Sequence, residues 1–456
     1  MKINIVIPNA QKGEFSRIKL GFADSEGNEV FVPLNIEYEN LYKFTRQKSG
    51  VALDVFLLGC YVYGIDILLP RKEFSINGWS RDIDVEFPVE FPEVFNVGRT
   101  DLEQLLSFLT GDNWSISFAK RENSILYLHK SRGKVYTDVY HNSFKKVSLF
   151  SGGLDSLVGV IDQLSNSQDK LVLVSHYDAA FKGSKSDQDK INLNLIQRYK
   201  NRYHIIQTRV DLSGHDINGN KLENETTLRS RSFLFLAQAI LVSHSIGNDI
   251  TIFIPENGTI SLNHPLTPSR RSSCSTRTAH PYYLKKVEEF ISKLGLNHPI
   301  INDYEMKTKG QMLEECRDRD TLLATYRDSC SCAKRGTRKD IRDITSGTNH
   351  CGICMPCIYR RVALYKIGLD KEIIGTNLFN PIKYPLEKLP DVPAFIDYMR
   401  KSLTIEDIEK NLLVNGTLPL EKVSEYADVV KRTRSEIRKW IREKGSIEIK
   451  NILGIK

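Results

Sequence analysis

The feature of this sequence that most constrains its fold is a regular alternation of apolar strands and helix-length segments in the middle of the chain. Runs rich in β-branched residues occur at Val147–Phe150, Leu171–Ser175, Ile205–Val210 and Ile250–Ile254. Segments long enough for helices separate these runs, and such a βαβα pattern predicts a parallel sheet with helices on both faces. Because ligands of such sheets bind at the carboxyl ends of the strands, polar residues that follow these runs are candidate site residues.

The segments between the strands predict three helices, which are Leu154–Leu164, Asp187–Tyr199 and Arg231–Ser245. The last of them is apolar on nearly all sides, which indicates a buried helix. We therefore expect an α/β domain over residues 141–370, preceded and followed by regions of different character.

The first 140 residues contain short β-like runs punctuated by Gly, Asn and Pro, which predict a β-rich α+β domain. The predicted strands are Ile3–Ile7, Glu29–Pro33, Asp82–Phe87, Trp114–Phe118 and Ile125–Leu128, with helices over much of Leu53–Leu69 and over Asp101–Leu109. This domain shows no catalytic pattern, so we expect a scaffold or a partner-docking domain. Residues 371–456 predict a mainly helical C-terminal extension, in which Leu420–Arg442 is a charged, solvated helix.

Composition and charge limit the cellular setting. With 41% hydrophobic residues, the 456-residue chain can bury a large core and more than one domain. The first residues contain no apolar signal core, and Asp54 and Asp66 interrupt the most apolar stretch, Val51–Pro70; this predicts a soluble, cytoplasmic protein without a membrane partner. The net charge of +8 is a mild excess without a polybasic tail, so nucleic acid is permitted as a partner but not required.

The strongest motif is SGGLDS at Ser151–Ser156, which follows directly on a predicted strand and opens a predicted helix. Two glycines allow a tight turn that brings backbone N–H groups against an anion, and the helix N-terminus and two serine hydroxyls add favourable interactions. The motif therefore predicts a phosphate or pyrophosphate site, the alternative being an ordinary glycine turn with Asp155 as a helix cap. Without a Walker lysine or a GxGxxG pattern, it argues against γ-phosphate transfer and hydride transfer.

Cysteines cluster late in the central domain. Cys60, Cys274 and Cys316 are scattered, whereas the other five of the eight cysteines lie between residues 330 and 357. In a cytosolic chain such clustering favours a metal over a disulfide. Three thiols come from Cys351, Cys354 and Cys357, and Cys330 or Cys332 can supply the fourth ligand of a closed tetrahedral zinc site. An iron–sulfur cluster is the alternative.

Taken together, these motifs resemble those of a known family. SGGLDS after a strand resembles the PP-loop of ATP pyrophosphatases, which split ATP into AMP and pyrophosphate to adenylate a substrate. The CGICMPC motif, preceded by Ser329-Cys330-Ser331 and followed by Arg360 and Arg361, resembles the zinc motif of the 7-cyano-7-deazaguanine synthase (QueC) family. Two further segments, Glu256–Leu266 and Ser275–Pro281, are similar to a branch found in antiphage defence operons, including the QueC-like subunit of the Qat system. The resemblance covers roughly residues 145–370.

The resemblance implies roles for individual residues. In the family the loop holds pyrophosphate, which implies this role for Ser151, Gly152, Gly153, Leu154 and Ser156, while Asp155 positions the loop or a Mg²⁺ ion. Ser175 and His176, at the end of the next strand, are further candidates for the ATP site, and Lys309 resembles a lysine that neutralises ATP phosphates. The Ser-Cys-Ser context favours Cys330 as the fourth zinc ligand, with Cys332 as the alternative.

The segment between the two motifs supplies candidates for substrate binding. Their polar side chains follow or precede predicted strands and helices, and the candidates are Arg229, Arg231, Glu256, Asn257, Asn263 and Arg277. Glu256 can accept hydrogen bonds from a guanine-like ring, Arg277 can pair with a carboxylate or phosphate, and His280 can transfer a proton. Each also has an ordinary interpretation as a cap, a surface charge or a satisfied polar residue.

The function implied by the resemblance is that of an ATP-dependent ligase acting on 7-carboxy-7-deazaguanine, with Mg²⁺ and Zn²⁺ as cofactors. The carboxylate is adenylated and an amine then displaces AMP. The amine is ammonia, giving an amide or nitrile, or belongs to a partner protein from a defence operon. Two alternatives remain: a PP-loop enzyme that modifies tRNA, and a non-catalytic adaptor stabilised by zinc.

Overall fold

The computed structural model describes residues 1–8, 18–24, 26–123, 125, 143–179, 183–267, 276–333, 335, 348–379, 389 and 391–455. Cys274, Ser275 and residues 126–128 of one predicted strand lie outside the described residues.

The N-terminal part confirms the other four predicted strands and both predicted helices, and it adds a strand at residues 18–23 that the sequence patterns did not predict. Its strands are β1 (Lys2–Val6), β2 (Ile18–Ala23), β3 (Glu29–Ile36), β4 (Asp82–Val89) and β5 (Asn113–Lys120). Its helices are α1 (Tyr38–Thr45), α2 (Val51–Leu68), α3 (Arg71–Phe74), α4 (Pro92–Val97) and α5 (Arg99–Thr110).

The central part confirms the predicted alternation of strands and helices. Its strands are β6 (Phe144–Leu149), β7 (Lys170–Tyr177), β8 (Tyr203–Leu212), β9 (Thr251–Phe253) and β10 (Ile300–Ile301). Its helices are α6 (Leu154–Asn166), α7 (Ser184–Tyr199), α8 (Arg231–Ile246), α9 (Gly258–Leu262), α10 (Pro281–Lys293), α11 (Lys309–Glu314), α12 (Arg319–Thr325) and α13 (Met355–Lys366).

The C-terminal part is helical, as the sequence predicts. It contains α14 (Val392–Arg400), α15 (Ile405–Asn415), α16 (Val423–Lys444) and α17 (Ile447–Leu453). The expectation that the long charged helix is simply solvated needs correction, because one face of α16 is buried. Trp440 on this face is fully buried, and its indole N–H donates to Asp370 Oδ2 at 3.0 Å. This face packs the C-terminal part against α13.

All ten strands form one mixed sheet in the order β10-β9-β6-β7-β8-β3-β2-β1-β4-β5. The strands from β10 to β8 are mutually parallel, and β1, β4 and β5 are parallel to one another. The antiparallel pairings lie between β8, β3, β2 and β1, and β3 joins the two parts of the sheet by pairing Leu34 with Leu212. The protein is therefore a mixed α/β structure with a largely parallel sheet. The boundaries at residues 140 and 370 stay predictions.

Helix α2 is the most apolar helix and lies in the core. It is long and apolar enough to cross a membrane, but nearly all of its residues are buried inside the protein, as in the core helix of a globular fold. It packs closely against α8, and at Gly59 a Cβ atom would lie 2.7 Å from Cβ of Ala237 and 3.2 Å from Cα of Leu234. The absence of a side chain at Gly59 thus allows the two helices to approach.

This contact makes a prediction about stability. Gly59→Ala is expected to lower the free energy of unfolding by about 1–2 kcal/mol, because overpacking against backbone outweighs the gain in helix propensity. The matched control is Gly214→Ala, since a Cβ atom there meets nothing within 4 Å and the expected change is within about 0.5 kcal/mol. Urea unfolding of both variants measures the difference, and equal stabilities would show that α2 and α8 can move apart freely.

Candidate active site

The cavity lies at the point in the sheet where the chain stops adding strands on one side of β6 and begins to add them on the other. From β6 the chain proceeds outward to β7 and β8 on one side, and later to β9 and β10 on the other. Such a switch point leaves a crevice between the loops that follow the two central strands. The loops after β6 and β9 flank a cavity of about 470 Å³ at this position. Its size is within the range of small-molecule sites.

The wall of this cavity combines predicted and unpredicted residues. From the predicted set, the cavity is lined by Ser151, Gly153, Leu154, Asp155, Ser156, Arg231, Glu256, Lys309 and Cys330. Residues that were not predicted include Thr226, Thr227, Leu228, Ser232, Phe235, Thr278, Ala279, Ser331 and Pro356. Thr278, Ala279, Ser331 and Pro356 lie within segments that the sequence analysis quoted for other residues. Thr226, Thr227 and Phe235 carry no motif, so the sequence offered no signal for them.

The SGGLDS loop has the backbone conformation that its glycines permit. Gly152 has φ +84°, in the left-handed region, and a Cβ there would approach the backbone N of Gln188 to 3.3 Å. Gly153 is the N-cap of α6, and its N–H donates to Ser151 Oγ at 3.2 Å. The first N–H groups of α6 have no partner within the helix, and the residues that carry them, Leu154, Asp155 and Ser156, line the cavity. This arrangement suits an anion such as a phosphate.

The serine hydroxyls stabilise the loop itself. Ser156 Oγ donates to the carbonyl of Gly153 at 2.9 Å, and Ser151 Oγ donates to Ser156 Oγ at 3.2 Å. From outside the loop, the N–H of Cys330 donates to the carbonyl of Gly152 at 3.0 Å. Hydrogen bonds from its own serine side chains and from the backbone of the cysteine-rich segment thus stabilise the loop.

Three ionisable side chains meet beside the loop. Lys309, whose side chain is 6% exposed, donates to Asp155 Oδ2 at 2.5 Å. Burial and the neighbouring Asp155 charge raise the pKa of Glu256 well above its usual value, although Lys309 opposes the shift. The buried Oδ1 of Asp155 has no hydrogen-bond partner among the described residues. Two facing carboxyl groups with one lysine therefore hold a proton or fit a cation between them.

His176 does not line the cavity, but it binds Arg231, which does. Its Nδ1 accepts from Arg231 Nε at 3.3 Å, and its Nε2 lies 2.9 Å from the carbonyl of Val210. Burial, aided by the charge of Arg231, lowers the pKa of His176 to about 3, so the ring is neutral with Nε2–H as the donor. The expectation that Ser175 and His176 contact ATP is corrected: both are fully buried, and Ser175 Oγ donates to the carbonyl of Phe150 at 2.7 Å.

Arg277 and His280, which were predicted to act in binding or catalysis, contact backbone groups of the protein. Arg277 donates to the carbonyls of Phe108, at 2.8 Å, and Asn415, and its guanidinium lies over the Phe108 ring. His280 caps α10 by accepting from the N–H of Tyr282 at 3.2 Å, and burial lowers its pKa to about 3. In the part of the chain that the structure describes, neither residue lines the cavity, although their neighbours Thr278 and Ala279 do.

Three predicted substrate-binding residues also point elsewhere. The guanidinium of Arg229 lies over the ring of Trp79, 5.4 Å from its centroid. Asn257 caps α9 by accepting from the N–H of Ile260 at 3.2 Å, and Asn263 donates to the carbonyl of Thr276 at 2.6 Å. Of the predicted substrate-binding set, Arg231 and Glu256 therefore line the cavity in the described structure.

The cysteine cluster lies next to the cavity in sequence, since Ser331, Ala333 and Pro356, which neighbour its cysteines, line the cavity. The sulfur atoms of Cys332, Cys351, Cys354 and Cys357 all lie within 4.8 Å of one another, and the last three residues are buried. Four thiol groups at this spacing could hold zinc. The preference for Cys330 as the fourth ligand is corrected, because the sulfur that lies with the other three belongs to Cys332, whereas Cys330 Sγ donates to the carbonyl of Asn349 at 3.5 Å.

Arg360 connects the cysteine cluster to the cavity. It follows the last cysteine on α13, is 1% exposed, and donates to Ser329 Oγ at 2.9 Å and to the carbonyl of Tyr326 at 2.8 Å. Its charge is balanced by Glu372, at 2.7 Å. The same segment continues into Cys330 and Ser331, which line the cavity. A metal in the cluster would therefore stabilise one wall of the site.

The two neighbouring cysteines allow a sharp test of the metal site. Cys332→Ser is expected to lose bound zinc and to lower the unfolding temperature, because it removes one of four thiolate ligands. Cys330→Ser is the matched control, two residues away in the same segment, and should keep the zinc content of the unaltered protein. Elemental analysis of purified protein measures the stoichiometry. Loss of zinc in the Cys330 variant instead would contradict Cys332 as the fourth ligand.

Comparison with known proteins does not identify the family of this protein. Comparisons with protein-family models, with curated proteins and with solved structures found no match. The family therefore stays a resemblance carried by the two motifs. The site itself is an α/β crevice in which a glycine-rich loop, a buried lysine and two carboxyl groups face one cavity.

Proposed function

We propose that the protein is a QueC-like, ATP-dependent ligase that adenylates the carboxylate of 7-carboxy-7-deazaguanine and transfers the acyl group to an amine. The observation that carries this proposal is the position of the SGGLDS loop, which lies at the switch point of the parallel strands and shares a cavity with Lys309. A loop that binds an anion beside a buried cation is suited to a leaving pyrophosphate.

The proposed reaction has two steps. A carboxylate oxygen of the substrate forms a bond to the α-phosphorus of ATP, and the bond from that phosphorus to pyrophosphate breaks. The amine nitrogen then bonds to the acyl carbon, AMP leaves with the bonding electrons, and the nitrogen loses a proton. A nitrile requires a second ATP: the amide oxygen bonds to its α-phosphorus, pyrophosphate leaves, and AMP then departs with that oxygen as the nitrogen loses its two protons. In this scheme the N–H groups of the loop and Lys309 bind the pyrophosphate, and Arg231 balances negative charge on the carboxylate or the acyl adenylate.

The carboxyl pair suggests where a magnesium ion belongs. Asp155 and Glu256 would hold Mg²⁺, which would neutralise charge on the phosphate oxygens; the unpartnered Oδ1 of Asp155 fits such a ligand. This position changes the proposal for Glu256. A carboxyl group next to Asp155 and the phosphate loop is better placed to bind a cation than to recognise a guanine-like ring.

The proposal is tested with the purified protein, Mg-ATP and 7-carboxy-7-deazaguanine, with and without ammonium. We expect release of AMP and pyrophosphate that depends on the deazaguanine. Small-molecule masses of an amide or nitrile would identify ammonia as the acceptor, and a mass increase on a co-purified protein would identify a protein amine. Pyrophosphate release that is independent of the deazaguanine, or the absence of ATP cleavage, would overturn the proposed substrate or the proposed activity, respectively.

A lysine pair provides a second test of the phosphate site. Lys309→Gln is expected to reduce pyrophosphate release by about 100-fold, because it removes the buried charge beside the loop. Lys307→Gln is the control, since Lys307 is 35% exposed and pairs with Glu315 at the surface. Equal rates for the two variants would remove Lys309 from the proposed mechanism, and thermal unfolding shows whether either variant is merely unstable.

A further inference from the structure

One wall of the cavity is formed by a segment without regular structure, Glu225–Ser230, which we name the wall segment. Thr226, Thr227 and Leu228 of this segment line the cavity, and Arg231 follows it directly. Leu228 has φ +48°, a left-handed conformation that is unfavourable for a residue with a branched side chain. Such a segment keeps one conformation only if its surroundings hold it.

The N-terminal part of the protein holds the beginning of the wall segment. The N–H of Glu225 donates to the carbonyl of Ile67, at the end of α2, at 2.9 Å. Its Oε2 accepts from the N–H of Arg71 at 2.8 Å. The other carboxylate oxygen accepts from the N–H groups of Thr226 and Thr227, each at 2.8 Å. Glu225 thus ties two residues that line the cavity to the end of α2.

Asp66, near the end of α2, holds the end of the wall segment. Its Oδ2 accepts from the N–H of Ser230 at 2.9 Å and from Ser230 Oγ at 2.8 Å. Ser230 is the N-cap of α8, so a carboxylate lies at the positive end of the helix that carries Arg231. Both groups are fully buried, which strengthens the interaction.

Asp66 stays ionised because two arginines surround it. Arg81 donates to its Oδ1 at 2.6 Å, and Arg71 lies 3.6 Å away. Burial alone raises the pKa of Asp66, but Arg81, Arg71 and the N–H of Ser230 together lower it below its usual value. Asp112 completes the cluster by pairing with both arginines, at 2.8 and 2.7 Å. Among the described residues, the carboxylate of Asp112 accepts hydrogen bonds from these two arginines and from none in the wall segment.

We infer that Asp66 is a positioning residue for the cavity: through Ser230 it fixes the wall segment and the start of α8, and thereby Thr226, Thr227 and Arg231. The N-terminal part is then an integral component of the site, in addition to any docking role. The effect on activity rests on the proposed function, whereas the effect on the wall segment does not.

Hydrogen exchange measures the anchoring directly. Asp66→Asn is expected to accelerate exchange of the backbone amides in residues 225–231 by about tenfold, because a hydrogen bond to a charged acceptor is lost. Asp112→Asn is the matched control, since the carboxylate of Asp112 binds the side chains of the same arginines and makes no hydrogen bond of its own to the described wall segment. Acceleration that is equal in the two variants, or absent in the Asp66 variant, would overturn the inference.

Ser230→Ala approaches the same contact from the other side and keeps the buried charge cluster intact. It removes one of the two hydrogen bonds to Asp66, so we expect smaller acceleration at the same amides. If Asp66→Asn does not fold, this variant decides the question, and exchange at the rate of the unaltered protein would overturn the inference.

Activity provides the readout that a purely structural role would not change. In Asp66→Asn the KM for the deazaguanine is expected to rise about tenfold with kcat within a few-fold of the original, while Asp112→Asn keeps the original KM. Unchanged KM in Asp66→Asn would contradict the positioning role. If the unaltered protein does not cleave ATP, the proposed function fails, and hydrogen exchange still decides whether Asp66 anchors the wall segment.

Discussion

The burial of α2 is the constraint on which much of the structure depends. A helix that is apolar on every side must be covered on every side, and here α8 and the sheet cover it. Its two carboxylates then need partners away from water. Asp54 forms an ion pair with Arg121 at 3.1 Å, yet burial still raises the pKa of Asp54 to about 6. Asp66 lies between two arginines and the N-terminus of α8. One side of the helix thus completes the core, and its far end reaches the candidate site.

The fold was predictable where local pattern and global structure agree. The β-branched runs of the central part became parallel strands, because strands buried on both faces require continuous apolar sequence. Strand β2, with Lys19 and Gly21 in six residues, carries too weak a pattern to be recognised, and its pairing with β1 and β3 stabilises it. The buried face of α16 was missed for a related reason, since abundant Lys, Arg and Glu obscured the apolar positions that contact α13.

The site was predictable to the extent that chemistry is local in sequence. The SGGLDS loop places its own residues at a cavity, and the CGICMPC turn brings three thiols together, because both motifs determine the backbone over a few residues. Choices that depend on distant contacts failed. Nothing local distinguishes Cys330 from Cys332; the fold does so, because it brings the sulfur of Cys332 to the other three while the N–H of Cys330 donates to Gly152. Arg277 was likewise predicted from sequence to bind an anion, but its guanidinium donates to carbonyls of α5 and α15.

If the protein is the proposed ligase, the charges around the SGGLDS loop would favour binding of a nucleotide together with its cation. Asp155 and Glu256 bring two acidic groups to a place where Lys309 supplies one positive charge. An incoming polyphosphate would meet repulsion from any carboxylate that Lys309 does not balance. Mg²⁺ held by these carboxyl groups would remove this repulsion, and Lys309 could then pair with the anion instead of with Asp155. The same carboxyl groups that disfavour free ATP would thus select the magnesium complex.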